Sequence, residues 1–143
     1  MSAAITTALA IIPSFSYEDA PGAIEFLCRA FGFQKHVVYE GAGGRIDHAQ
    51  LKLGGHFIML GSAGNHPEWP RKSPRELGAT TGGVYVVLES DEDVDAHYAR
   101  ARAAGATIIR ELESPDYGGR NYGATDSEGY LWSFGSYRPE SAS

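Results

Sequence analysis

His48, Gln50 and Lys52 alternate along a strand-like run, so their side chains fall on one face of it. That mixture of imidazole, amide and amine suits a pocket or a wet face better than a core. A metal there would need His48 and His56 on the same face with a third donor such as Glu40, whereas His56 beside Gly55 reads more simply as a hairpin residue. No serine stands near a histidine–carboxylate arrangement, and neither does Cys28, so covalent catalysis has no visible machinery. Metal-free acid–base chemistry would fall to Glu40 or Asp47. Arg45 and Arg120 lie beside glycine turns, where a planar guanidinium fork would hold an anion. Trp69, Tyr117 and Tyr122 offer flat rings for stacking, and Gly118, Gly119 and Gly123 would let the tyrosine segment move over a cavity. Trp69 lies between Pro67 and Pro70 in a polar stretch, so it either covers the core or faces a ligand. His36 and His66 read as solvated residues, and His97 as an exposed helix residue or partner contact.

Composition narrows the partners. The chain has 143 residues, 43% of them apolar, and a formal net charge of -6. That size closes one core or two small modules sharing one. The negative balance disfavours nucleic-acid phosphates, so no nucleic-acid partner is expected. One cysteine rules out a disulfide framework, and Cys28 reads as a small buried hydrophobe. No apolar run approaches the roughly 20 residues that cross a bilayer. The apolar opening lacks a basic leader, so no membrane partner and a soluble, cytoplasmic protein are expected.

The elements that must position these residues come in two similar sets. A strand over 9–17 carries Pro13, which costs a ladder bond and marks an edge or an irregularity. Glu18 or Asp19 caps a helix with Pro21 in its first turn, Ala23, Ile24, Leu27, Cys28 and Phe31 on its apolar face, and Gly32 at its end. Strands follow over 33–39, 46–53 and 57–60, the last two around Gly54-Gly55. After a proline-rich linker, 62–82, the order repeats. It runs through a strand over 83–88, a helix capped at Ser90 and about a turn longer than the first, and strands over 107–112, 122–125 and 130–134. Arg45 to Ser62 also resembles Arg120 to Ser136, with Met59 on Ser133, Gly61 on Gly135 and Ser62 on Ser136. The expectation is one α+β domain, 1–143, of two βαβββ modules (9–61 and 83–137) forming a curved mixed sheet around a cavity. Alternation turns Ile58, Leu60, Trp132 and Phe134 toward the helices and Phe57, Met59, Leu131 and Ser133 away from them.

Ala23-Ile-Glu-Phe-Leu27 with Gly32-Phe33, and Asp126-Ser-Glu-Gly129-Tyr-Leu-Trp132 with Ser127 where proline is usual, resemble the vicinal oxygen chelate superfamily over residues 9–137. That group holds glyoxalase I, extradiol dioxygenases, fosfomycin-modifying enzymes and bleomycin-binding resistance proteins. The resemblance implies paired modules curling around a cavity, often completed by dimerisation. Its enzymes hold one divalent metal by His, Gln or Glu at positions that fall here near Ile12 or Pro13, at Gly83, and at Met59 and Ser133, none an ordinary ligand. The resulting expectation is a homodimer without metal or cofactor. It sequesters a small, possibly aromatic molecule in a cavity between the modules, as the bleomycin-binding resistance proteins do, with His48, Gln50, Phe57, Met59, Trp69, Tyr117, Arg120, Tyr122 and Ser133 as ligand-binding candidates and no catalytic residue. The alternatives are a glyoxalase- or dioxygenase-like enzyme (lyase, isomerase or oxygenase) with an unconventional metal site or metal-free acid–base chemistry, or a structural dimer whose own side chains fill the cavity.

Overall fold

The computed structural model describes residues 6–141. Strand β1 (Ser14–Tyr17) starts only after Pro13, whose carbonyl accepts from the Met59 amide; residues 9–13 expected in the strand lie outside the ladder. Helix α1 (Ala20–Phe31) begins where the Asp19 carboxylate accepts from the Gly22 amide and ends at Gly32, whose φ of 85° favours glycine. Its 3.6-residue spacing buries Ala23, Ile24, Leu27, Ala30 and Phe31 on one stripe. Strands β2 (Gln34–Glu40), β3 (Ile46–Leu53) and β4 (His56–Ser62) complete the first module.

The linker contains a short helix absent from the sequence expectation, α2 (Pro74–Leu77), capped by Ser73 and stopped at Gly78. The second module follows as β5 (Gly83–Val87), α3 (Asp91–Ala103), β6 (Thr107–Glu113), β7 (Asn121–Thr125) and β8 (Leu131–Gly135). Ser90 caps α3 by accepting from the Asp93 amide; α3 has 13 residues against 12 in α1, so it is one residue longer and not a turn. The four-stranded sheets have matching orders, β1-β4-β3-β2 and β5-β8-β7-β6, each with one parallel pair. The mixed sheet is thus two separate sheets, one per module.

Side-chain alternation follows the expectation on both hairpins. Ile58, Leu60, Trp132 and Phe134 are buried with α1 and α3 in one continuous core. Trp132 of module two packs at ring-centroid distances of 5.3 Å from Phe15 and 5.6 Å from both Phe31 and Phe33. The modules therefore join through their helix-bearing faces, and the opposite, outer faces of both sheets stay outside this core.

The Asp126–Gly129 turn locks that arrangement. The buried Asp126 carboxylate accepts from the Tyr17 hydroxyl (2.5 Å), the Trp132 indole (3.0 Å) and the amides of Glu128 and Tyr130 (3.0 and 3.1 Å). Glu128 accepts from the amides of Glu18 and Asp19 at 2.8 and 2.7 Å, so a loop of module two satisfies donors at the entrance to α1 in module one.

Candidate functional site

The outer face of the first sheet forms the floor of a cleft. Register sets Ser14 of β1 opposite Met59 of β4, and Met59 opposite Gln50 of β3, so these three side chains make one row across the sheet. His48 lies one step along β3 from Gln50 on the same face. The Gln50 amide donates to His48 Nε2 at 3.1 Å, which leaves the imidazole proton on Nδ1, and the ring lies near-parallel to Tyr39.

The start of the linker forms the wall. Asn65 donates to the carbonyls of Ile46 (2.9 Å) and Asp47 (3.2 Å), while Arg45 donates to Ala63 O and Asn65 Oδ1, so the chain leaving β4 is pinned on β3. Gly61 permits that approach: a Cβ there would stand 3.1 Å from both Asn65 Nδ2 and Asp47 O. A turn then stacks His66 on Trp69 at 4.1 Å, and Arg71 follows with its guanidinium 5.1 Å from the Trp69 ring and Nη1 donating to Ser14 O at 3.1 Å. Floor and wall enclose about 220 Å³ lined by Ser14, Ser16, Asp47, His48, Met59, Asn65, His66, Trp69 and Arg71. A larger, mainly apolar cavity of about 530 Å³ opens between the modules, lined by Phe33, Leu53, Phe57 and Ile58 on one side and Val84, Val86, Leu88 and Trp132 on the other.

Of the residues selected from sequence, His48, Met59 and Trp69 converge in the cleft, with Gln50 bonded to His48. Phe57 lines the inter-module cavity. Tyr117, Arg120 and Ser133 belong to module two and do not join them. Tyr117 is exposed and packs edge-on to Tyr137, Arg120 is paired with Asp95, and Ser133 lies in β8 opposite Tyr85 and Gly123. Tyr122 does not face a ligand. It shares the helix-side parity of Ala124 in β7, is fully buried against Phe134, and bonds through its hydroxyl to His97 Nδ1 at 2.6 Å. His97 is likewise a core-bridging residue and not an exposed one, since its Nε2 donates to Phe31 O at 2.8 Å. Sequence reasoning missed Ser14, Ser16, Asn65 and Arg71 as lining residues and took His66 as merely solvated. Alternation from Met59's partner strand marks the two serines, while the linker residues carry no periodic signal.

The positions to which the resemblance carries a metal site do not fit one. Pro13, Gly83, Met59 and Ser133 offer neither imidazole nor carboxylate, and among the described residues no three His, Cys, Asp or Glu side chains gather as a metal-holding group. Burial pushes the Tyr17 and Tyr122 hydroxyls up and the His97 imidazole down, and all three serve the core rather than the cleft. Among the described residues no helix is long and apolar enough to cross a membrane.

Comparison with known proteins agrees with this geometry. Residues 13–134 match the model of the Glyoxalase/Bleomycin resistance protein/Dioxygenase superfamily. An uncharacterised protein of Mycobacterium bovis is 32% identical over 135 residues, covering 92% of this chain and 86% of that protein. An uncharacterised Mycobacterium tuberculosis protein has the same identity, with 76% of its length covered. Among solved structures, TioX from Micromonospora sp. ML1 is 33% identical with a TM-score of 0.68, covering 88% of this chain and 94% of TioX. The fosfomycin resistance protein FosX from Listeria monocytogenes, solved with Mn(II) and a dihydroxypropylphosphonic acid, shares the fold at 15% identity and a TM-score of 0.69, with 94% of each chain covered. With its paired βαβββ modules and a family match spanning nearly all of them, the chain belongs to the glyoxalase/bleomycin resistance protein/dioxygenase superfamily.

Proposed function

We propose that this protein binds a small aromatic or amphipathic molecule and holds it without transforming it, in the cleft on the outer face of the first sheet. The observation that carries the reading is the cleft itself. An apolar Met59 floor meets a wall whose Trp69 is 46% exposed, and two polar groups, His48 and Ser14, are placed to orient a guest. Met59 and Ser133, at positions where family enzymes place metal ligands, support binding over metal-assisted chemistry. The working form is a homodimer. Tyr85 (38% exposed), Val87 (42%) and Ile109 (54%) leave apolar surface on module two that a second copy would cover.

The test is to incubate purified protein with a library of such compounds, isolate the complexes, and analyse what is released on denaturation, with elemental analysis before and after exposure to zinc, manganese, nickel and ferrous iron. Retained compounds recovered with unchanged mass, and no stoichiometric ion, are expected. A product accumulating beyond the amount of protein, or one ion retained per chain, would replace this reading with an enzymatic one.

A further inference from the structure

Arg71 is the arginine that lines the cleft. Arg29, Arg75, Arg102, Arg110 and Arg120 each lie within 4.0 Å of a carboxylate. Arg45 and Arg100 lack one, as Arg71 does among the described residues, but each gives two side-chain hydrogen bonds to protein oxygens. The Arg71 side chain's one hydrogen bond to the described residues runs from Nη1 to Ser14 O, which leaves the remaining N–H groups of the fork uncommitted. The side chain is nonetheless held in place, because that bond and the Trp69 ring at 5.1 Å restrain the guanidinium at the cleft wall. In a chain of net charge -6, a cleft-lining arginine with no carboxylate within 4.0 Å has the donor geometry to take an anion.

The other charged groups fix which end of the cleft is positive. Arg71 is attached to β1 through Ser14, while Asp47, the carboxylate lining the cleft, is on β3, with β4 between them. Two strand spacings put them roughly 10 Å apart, so an anion at the β1 end gains from Arg71 and is distant from Asp47. His66 is engaged with Glu68 at 3.3 Å. The Met59 thioether and the part of the Trp69 indole left exposed beside Arg71 and His66 also line the cleft, surfaces that favour a flat π-system.

We propose that the cleft selects a planar aromatic molecule bearing a negative charge, with Arg71 holding the anionic group at the β1 end and Trp69 and Met59 packing the ring. This deepens the proposed function and rests on it. The test uses calorimetric titration with naphthalene-2-carboxylate, its neutral analogue naphthalene-2-carboxamide and the non-planar cyclohexanecarboxylate, with the Trp69 indole N–H followed by NMR to locate binding.

The carboxylate is expected to bind about tenfold tighter than the carboxamide, the factor equivalent to one charge-assisted hydrogen bond, and to shift the Trp69 signal. It is also expected to bind about tenfold tighter than cyclohexanecarboxylate. Arg71→Gln should bring carboxylate and carboxamide within about twofold of each other while keeping the carboxamide affinity, and Trp69→Leu should erase the preference for the flat ring. Both side chains lie on the linker surface, and thermal melts of the variants verify the fold. Equal affinity for carboxylate and carboxamide with the Trp69 signal still moving would overturn the anion assignment and leave the sequestration reading intact. A preference that survives Arg71→Gln, or binding without a Trp69 shift, would overturn the assignment of these residues. No binding of either naphthalene would overturn the ligand class, while the library experiment judges sequestration separately.

Discussion

Asp126 is a buried carboxylate whose four donors come from both modules, so its charge is spent on holding Tyr17 and Trp132 in register. Asp126→Asn replaces one acceptor oxygen by a donor facing donors and should cost on the order of 1–3 kcal/mol, read as a lower urea midpoint at unchanged slope. Met59→Arg, on the outer face and outside the core, should change stability by less than about 1 kcal/mol while filling the cleft. At this scale the sequence was informative wherever alternation decided the outcome. Met59 and Trp132 took opposite faces as their strands require. Tyr122 went astray because nearby glycines suggested a mobile flap, when its parity with Ala124 already turned it inward. The partners of Asp126 were illegible, since Tyr17 lies 109 residues away and no local pattern reports such a bond.

His97 shows what links one element to another. It receives the Tyr122 hydroxyl on Nδ1 and donates from Nε2 to the last residue of α1, Phe31, which requires the neutral imidazole. Burial is the main cause that holds its pKa below the usual histidine value; the Phe31 carbonyl opposes it and Arg100 on the same helix adds to it. The stabilising contribution is therefore complete above the unfolded-state pKa near 6.5 and is lost as pH falls below it, where the unfolded chain takes up the proton first. Chemical denaturation between about pH 7.5 and 5.5 should show a fall in stability that His97→Gln flattens. An unchanged slope would dismiss the role. The signal was present in α3, where position 97 falls three residues after the buried Val94 and four before the buried Ala101. Its charge-capable side chain masked that stripe. The boundaries of β1 and α2 escaped for a different reason: Pro13 ends a ladder that apolar composition alone would extend, and a four-residue helix is too short to show periodicity.

For the whole molecule, the matching strand orders were legible as a repeat, but not which faces the modules would join. Two sheets, each with a helix on one face, can share a core or oppose their bare faces, and the aromatic cluster around Trp132 decides for a shared core. That choice leaves Tyr85, Val87 and Ile109 outside, and light scattering coupled to gel filtration should return twice the chain mass of 15.4 kDa. Val87→Lys should shift that equilibrium toward monomer; a monomer at all concentrations in the native chain would remove the dimer from the account. Gly61 and Gly135, equivalent in the repeat, each admit a close neighbour, Asn65 in one module and the Tyr85 ring in the other, a constraint the duplicated pattern carried without naming its cause.

Whether the first-sheet cleft holds a small molecule unchanged is decided most directly by native mass spectrometry of the protein incubated with a mixed library of small aromatic and amphipathic compounds, beside Met59→Arg treated identically. Adducts on the native protein whose added mass equals that of an intact library member, and their loss from the variant, are the predicted result. Adducts equally abundant on both proteins, or masses belonging to reaction products, would contradict it.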